Sequence, residues 1–426
     1  MHSSVHATEN LLFVTLLQLI VMILAARAGN RISKGLGQPG VVGEIVAGLL
    51  LGPSLFGHFF PGASLALFGA KASAPITIIS QIGLVLLMFQ IGMDFEFGHL
   101  GRPKNRNGVF GIVAASISIP FALGFAIGQL SAPILAPHIA SLTYSLFCGV
   151  ALAITAVPIL GRILREFDLT RTELGVVAIS AAAFNDVIGW VLLAAISAFA
   201  AATFSVKAMA FQVGGILLLG LVSWFIVRPL INLLLRWFPV KDGLLPPNLM
   251  TIVICIVFAM GICTYQLHIF TIFGGFLAGL LFHRNKPFVE AWSRQVGKFV
   301  LVFFLPVFFT YTGLRTNVLG LATQSDWTWL SIILAASILG KVVPVYIASR
   351  LSGFNRKEST ILGSLMNTRA LMELIVLNIG FDLGFIPQNV FTMLVIMAVV
   401  TTIMTGPLLR LLLPRAGYVI PVGVEA

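Results

Sequence analysis

Apolar runs long enough to cross a bilayer as helices recur from one end of the chain to the other. Of the 426 residues, 58% are hydrophobic and only 10% are charged, whereas a soluble protein of this size needs far more charge on its surface. The sequence therefore predicts an all-α polytopic protein with about thirteen transmembrane helices in a lipid bilayer. The predicted spans are 11–27, 38–53, 75–93, 108–129, 140–161, 174–203, 208–234, 247–265, 268–282, 297–314, 327–349, 358–380 and 388–412.

The basic residues are distributed unevenly between alternate loops. Most of the 26 Lys and Arg residues lie in one set of loops and in the carboxyl-terminal tail, whereas the other set carries only Lys71, Lys207 and Arg315. This bias predicts a multi-pass protein of the cell or inner membrane, with the amino terminus outside and the carboxyl terminus in the cytoplasm. The net charge of +11 is then a signal of topology, and we expect no nucleic-acid partner.

Two short segments recur in the same order in the two halves of the chain. AGLL lies at 47–50 and again at 278–281, and GMDFE at the end of the third span aligns with GLRTN at the end of the tenth. The two copies are seven spans apart, and because this number is odd the second copy has the opposite orientation in the membrane, as in the inverted repeats of secondary transporters. We predict one transmembrane domain with repeats 11–203 and 247–412, a linker helix 208–234 and no soluble regulatory domain. The alternative is a chance recurrence of Gly, Ala and Leu.

A single carboxylate, Asp186, lies in the predicted sixth span directly after Asn185. It is twelve residues from the start of that span, or roughly 18 Å, in a hydrocarbon layer about 30 Å thick. A charge at that depth is costly unless it is paired or hydrated, which indicates a functional group. The alternative is a protonated carboxyl that is hydrogen-bonded between helices.

The fifth and twelfth spans carry residues that disfavour a continuous helix. Pro158 in ITAVPILGR removes a backbone donor. The segment GSLMNTRALMELI places four polar residues at mid-span: Asn367, Thr368, Arg369 and Glu373. Two broken helices at corresponding positions of two halves are typical of transporter sites. A simple kink at Pro158, and an Arg369–Glu373 pair along one helix face, remain the alternatives.

Lys341 in SILGKVVPVYIA lies near the middle of the predicted eleventh span. A lysine at that depth needs a carboxylate or a path of water. The alternative is that its long side chain reaches the membrane surface.

No motif for catalysis or for a cofactor competes with these residues. The three cysteines lie inside apolar runs, the seven histidines are scattered, and no glycine-rich nucleotide motif follows a strand. We expect no catalytic residue, no cofactor, no metal beyond a transported monovalent cation, and no enzymatic activity.

The segments GEIVAGLLLGPSLFG, AITAVPILGRILREFDL, AAAFNDVIGW and LGSLMNTRALMELIVLNIG resemble the monovalent cation:proton antiporter-2 family. That family includes Kef-type efflux systems and the plant cation/proton exchangers. The resemblance implies the sodium/proton antiporter fold, with crossed discontinuous helices in a core domain and a second domain that forms a homodimer. It implies that Asp186 is the shared proton and cation site, that Thr155 lends an oxygen, and that Lys341 is the basic partner. The Asn185–Asp186 pair implies electroneutral exchange, and Ala370 stands where glycine is usual.

We therefore expect a secondary active antiporter that exchanges K⁺ or Na⁺ for protons by alternating access of its core domain. A sodium-coupled symporter of organic anions is one alternative, although it would need a roomier polar cavity. A potassium efflux channel is the other, although the sequence lacks a TVGYG-like filter of backbone carbonyls.

Overall fold

The secondary structure of the described residues is helical. The computed structural model of the protein describes residues 2–69, 73–93, 103–170, 172–200, 214–215, 217–267, 270–369 and 371–418. Within these ranges there is no β-strand, and one isolated bridge joins Lys241 and Leu244. Ala370 and the end of the chain after Tyr418 lie outside the described residues.

The helices follow the predicted spans in order. They are α1 (His2–Gly35), α2 (Gly40–Leu51), α3 (Phe56–Phe59), α4 (Pro61–Phe68), α5 (Ser73–Met93), α6 (Pro103–Leu135), α7 (Ser141–Ala153), α8 (Val157–Glu166), α9 (Glu173–Ala200), α10 (Leu217–Trp237), α11 (Pro247–Gln266), α12 (Thr271–Phe282), α13 (Lys286–Trp292), α14 (Leu305–Leu314), α15 (Gln324–Leu351), α16 (Arg356–Met366), α17 (Leu371–Asp382) and α18 (Gln388–Arg415). Shorter turns of π-helix cover Ser223–Val227, Ser293–Gly297 and Val300–Phe304, and a 3₁₀ turn covers Val318–Gly320.

The helices account for all of the predicted membrane crossings. Eleven helical segments of the described chain are long and apolar enough to span a membrane. Two shorter apolar helices, α7 and α12, occupy the predicted fifth and ninth spans. The prediction of an all-α polytopic membrane protein is therefore confirmed.

Several helices extend beyond the predicted spans. The first runs from His2 to Gly35, although its apolar run covers only 11–27. The apolar pattern marks only the hydrocarbon part of a helix, which continues where the headgroup region can hydrate polar side chains.

The chain divides into two packed units. The first contains residues 1–25, 62–96 and 197–311, and the second contains residues 26–61, 97–196 and 312–426. The interrupted fifth and twelfth spans both belong to the second unit. The twelfth, Arg356–Asp382, lies in the interior of that unit: 94% of its most apolar stretch is buried.

Each unit contains a helix crossing in which the glycine of an AGLL segment meets a second glycine backbone. In the first unit, a Cβ on Gly279 would lie 2.8 Å from Cα of Gly92. In the second unit, a Cβ on Gly313 would lie 2.1 Å from the carbonyl carbon of Gly48. Only glycine permits such close approach of helices. Gly48 and Gly279 are the glycines of the two AGLL segments, and Gly92 and Gly313 are the two glycines that the sequence aligns with each other.

We predict that Gly279→Ala destabilises the first unit. The added Cβ would lie 2.2 Å from the backbone oxygen of Phe89. A backbone atom, unlike a side chain, cannot relieve such a clash by a change of rotamer. The free energy of unfolding should fall by about 1–3 kcal/mol, measured as a lower midpoint of thermal unfolding in detergent. Gly35→Ala is the matched control, because a Cβ at Gly35 meets no atom within 4 Å. Equal midpoints for the two variants would contradict the prediction.

Candidate functional site

The fifth span is two helices joined by a short extended segment. α7 ends at Ala153, the next residues are extended at Ile154 (φ −69°, ψ 145°) and Ala156 (φ −91°, ψ 107°), and α8 starts at Val157. Pro158 is therefore in the first turn of α8, where its missing N–H removes no helical hydrogen bond. It begins a second half-helix and does not kink a continuous one.

The twelfth span is interrupted in the same way, and the two interruptions meet. α16 ends at Met366 and α17 starts at Leu371. The backbone N–H of Ala156 donates to the carbonyl of Thr368 at 3.3 Å, and the hydroxyl of Thr155 donates to the carbonyl of Met366 at 3.2 Å. Backbone groups that neither helix can satisfy are thus paired across the crossing.

Asn367 and Thr368 are fully buried in the second interruption. The Asn367 amide nitrogen lies 3.6 Å from the sulfur of Met404, and the Thr368 hydroxyl lies 3.5 Å from that of Thr405. Both side chains therefore face α18, whereas the Thr155 hydroxyl accepts a hydrogen bond from Asn185 on α9.

Two buried cations bind the carboxyl end of α7. The Arg369 guanidinium donates to the carbonyls of Ala151 at 2.9 Å and Leu152 at 2.8 Å, and the Lys341 ammonium donates to the carbonyl of Ala153. Both side chains are fully buried. The last carbonyls of a helix lack helical donors and carry its negative partial charge. The two positive charges therefore lie where they satisfy the free carbonyls of α7 and offset its negative partial charge.

Glu373 lies in the first turn of α17 and forms an ion pair with Arg369, with 3.4 Å between Nη1 and Oε2. Both side chains are buried. A carboxylate is favoured at this position because the amino end of a helix carries positive partial charge. The structure thus pairs these two residues, although Arg369 lies in the interruption before α17 and not on the helix itself.

Asp186 is 3% exposed on α9. Neither of its carboxylate oxygens has a hydrogen-bond partner among the described residues. The carboxylate interacts electrostatically with the backbone amide of Val157, at the amino end of α8, and with the Lys341 ammonium. Lys341 itself is hydrogen-bonded to backbone carbonyls, so the Asp186 oxygens remain available to an ion or a proton.

Asn185 connects three elements around this carboxylate. Its amide nitrogen donates to the hydroxyls of Ser116 on α6 and Thr155 in the first interruption, each at 3.1 Å. The carbonyl of Ser116 also accepts a hydrogen bond from Lys341 at 2.9 Å. Sequence reasoning missed Ser116, because a lone serine in an apolar helix carries no signal that separates it from an ordinary packing residue.

A narrow cleft borders Asn185. Apart from Asn185 it is lined by Ile117, Val150, Ala153, Ile154, Gly189 and Leu192. Pockets for organic ligands usually measure about 300–1,000 Å³, whereas this cleft has no room for a water-sized molecule.

Comparison with known proteins decides the family. A family profile described as "Sodium/hydrogen exchanger, transmembrane" matches residues 19–414. The chain belongs to the sodium/hydrogen exchanger family. It is 35% identical over 416 residues to the Na(+)/H(+) antiporter NhaS4 of Synechocystis sp., covering 96% of this chain and 99% of that protein. The resemblance seen in the sequence motifs is therefore confirmed.

Other members of the family are longer than this chain. It is 33% identical over 404 residues to Cation/H(+) antiporter 18 of Arabidopsis thaliana, covering 92% of this chain and 48% of that protein. It is 29% identical over 395 residues to K(+)/H(+) antiporter 1 of Saccharomyces cerevisiae, covering 88% of this chain and 44% of that protein. The chain thus spans about half the length of these plant and yeast relatives.

A solved exchanger structure has the same fold. The sodium proton antiporter MjNhaP1 from Methanocaldococcus jannaschii superposes with a TM-score of 0.56 at 16% identity, covering 94% of this chain and 96% of that one. The prediction of the sodium/proton antiporter fold is therefore confirmed.

We predict that Arg369→Met destabilises the protein more than removal of a surface arginine does. The substitution leaves the carbonyls of Ala151 and Leu152 without their donor and leaves Glu373 buried without its ion-pair partner. Removing one partner of a buried ion pair lowers the free energy of unfolding by about 3–5 kcal/mol.

Arg165→Met is the control for this prediction. Arg165 is exposed, and among the described residues it donates to Gly161 in its own helix, so its removal should change stability by less than about 0.5 kcal/mol. Thermal unfolding in detergent measures both variants. Equal loss of stability in the two would mean that Arg369 does not hold the end of α7.

Proposed function

We propose that the chain is a secondary active antiporter that exchanges a monovalent cation, K⁺ or Na⁺, for protons. Membership of a transporter family supports this proposal, and so do the names of relatives, which include a Na(+)/H(+) antiporter and a K(+)/H(+) antiporter. The observation that carries it is the Asp186 carboxylate, which is buried beside two interrupted helices while the neighbouring cations donate to backbone carbonyls.

Asp186 is the group that the proton and the cation share. The carboxylate holds either a proton or a partly dehydrated cation, and either one neutralises it. An empty, charged site is expensive to move through lipid. The core domain therefore moves between the two sides of the membrane only when the Asp186 carboxylate is occupied. The energetic penalty on the empty form makes the transport an exchange.

The residues around Asp186 orient it and add oxygen ligands. Asn185 is held by the hydroxyls of Ser116 and Thr155 and contributes no charge. Thr155 lends its hydroxyl or backbone oxygen to the cation. Arg369 and Glu373 neutralise each other and the end of α7, so they are structural and do not carry protons through the cycle.

One carboxylate that exchanges one charge for another gives a stoichiometry of one for one. A membrane potential does about 2.3 kcal/mol of work per net charge per 100 mV. Because no net charge moves, the potential adds no driving force, and the exchange is electroneutral.

The same proposal includes the organisation of the chain. The repeats 11–203 and 247–412 are inverted copies joined by 208–234, and the two glycine crossings support this, because each pairs the AGLL glycine of one copy with the aligned glycine of the other. The amino terminus faces outside and the carboxyl terminus faces the cytoplasm, which the distribution of basic residues supports. The homodimer rests on resemblance to the family.

The two alternative functions have less support. An organic-anion symporter needs a roomy polar cavity, whereas the cleft beside Asn185 has no room for a water-sized molecule. A channel needs a filter of backbone carbonyls open to the ion, whereas the last three carbonyls of α7 are occupied by Arg369 and Lys341.

We predict that Asp186→Asn abolishes exchange while the protein still folds. The amide can neither take up a proton nor balance the charge of a cation, so the site has no ion to exchange. The measurement is cation-driven proton flux in proteoliposomes loaded with a pH-sensitive dye, tested with KCl and with NaCl. Asp242→Asn is the control, because Asp242 is exposed in a turn at φ 51°, a conformation that asparagine tolerates. Normal flux in Asp186→Asn would remove Asp186 from the mechanism.

We predict that the rate of exchange does not depend on membrane voltage. Proteoliposomes clamped at 0 mV and at about 100 mV of either sign should give equal rates, since no net charge crosses in one-for-one exchange. A rate that changes several-fold between these potentials would refute the stoichiometry and leave the assignment of Asp186 intact.

A further inference from the structure

The Lys341 ammonium is bound by backbone, and one of its two acceptors lies inside a helix. It donates to the carbonyl of Ala153, at the end of α7, and to the carbonyl of Ser116, in the middle of α6. A carbonyl inside an α-helix normally accepts the N–H of the residue four positions later. A free acceptor in mid-helix therefore needs a cause.

The cause is a proline. Pro120 lies four residues after Ser116, inside α6, and proline has no backbone N–H. The carbonyl of Ser116 is thus left without its helical donor. That same oxygen lies 2.9 Å from the nitrogen of Lys341.

The packing of α15 brings the lysine to this position. Gly340, the residue before Lys341, lies against α6 at the proline, where an added Cβ would be 3.9 Å from Cα of Pro120 and 2.6 Å from a methyl carbon of Leu123. The close approach of the two helices and the missing N–H therefore occur at the same turn.

Ser116 also holds the neighbour of the carboxylate. Its hydroxyl accepts from the Asn185 amide at 3.1 Å, while its carbonyl accepts from Lys341 at 2.9 Å. One residue of α6 thus fixes both the lysine and the Asn185–Asp186 pair.

We propose that Pro120 is a positioning residue for the ion site, because it creates the backbone acceptor that holds the Lys341 ammonium. This inference rests on the proposed function. The two backbone oxygens hold the Lys341 ammonium out of hydrogen-bond contact with Asp186, so the carboxylate oxygens remain open to the transported cation. Pro120 acts through Lys341 and touches neither the cation nor the proton.

The test restores the missing donor. In Pro120→Ala the new N–H bonds to the Ser116 carbonyl and competes with the ammonium for that oxygen. The more weakly held ammonium then competes with the cation for Asp186. A hydrogen bond to a charged group is strong enough to raise the half-saturating cation concentration about tenfold. The maximal rate should stay within about twofold, because saturating cation displaces the ammonium from the carboxylate.

Stability separates this role from a merely structural one. Alanine is far more favourable than proline inside a helix, so Pro120→Ala should keep or raise the midpoint of thermal unfolding while it weakens cation binding. A proline kept only for packing gives the opposite result: a lower midpoint with an unchanged half-saturating concentration.

Pro133→Ala is the matched control. Pro133 lies in the same helix, about 20 Å farther along it at 1.5 Å per residue, and its side chain is exposed. Restoring its N–H should leave the half-saturating concentration unchanged. A tenfold rise in this control as well would overturn the proposal, because any proline of α6 would then have the effect.

The experiment uses the full chain in proteoliposomes at fixed pH, with KCl and NaCl each titrated against proton flux. Pro120→Val restores the same N–H and is measured beside the alanine variant. If the unsubstituted protein exchanges cations and either folded variant keeps its half-saturating concentration, the role of Pro120 is refuted. If both variants fail to fold while Pro133→Ala folds, Pro120 serves folding, and the proposal is equally refuted. If the unsubstituted protein shows no cation-driven flux, the proposed function fails instead.

Discussion

The architecture of the second unit depends on how the free carbonyls at the end of α7 are satisfied. Lipid offers no hydrogen bonds, so a helix that stops in mid-membrane must find donors within the protein. Arg369 and Lys341 supply them, from two other spans. A buried charge is costly by itself, yet here each cation offsets an unsatisfied helix end. The interruption and the buried cations therefore stabilise each other.

The same rule explains the positions of the acids. Glu373 lies in the first turn of α17, and Asp186 lies near the amide of Val157 at the start of α8. Both are places where the free amides of a half-helix favour negative charge. The two acids differ in what else they contact. Glu373 has Arg369 as its partner, whereas the Asp186 oxygens have no hydrogen-bond partner among the described residues. This difference supports the proposal that Asp186, and not Glu373, takes part in exchange.

Sequence reasoning identified the spans and the polar residues inside them because lipid makes both conspicuous. A run of apolar residues shows where the chain crosses, and an ionisable residue in such a run is too costly to be accidental. Apart from the Arg369–Glu373 pair, it could not identify the partners. Lys341 and Asp186 look like an ion pair when only their depth is known, but the lysine binds carbonyls from α6 and α7. Backbone acceptors have no sequence signature, and Ser116 and Pro120 look like ordinary residues of an apolar helix.

By itself, the sequence determined that this protein is an all-helical membrane protein with one carboxylate in its sixth span, because hydropathy and span length depend only on local composition. The tertiary structure alone decided which groups meet. The contacts of Thr155 with Met366 and of Arg369 with Ala151 join residues more than 200 positions apart. Such contacts follow from the way interrupted helices cross and glycine backbones approach, and local composition encodes neither.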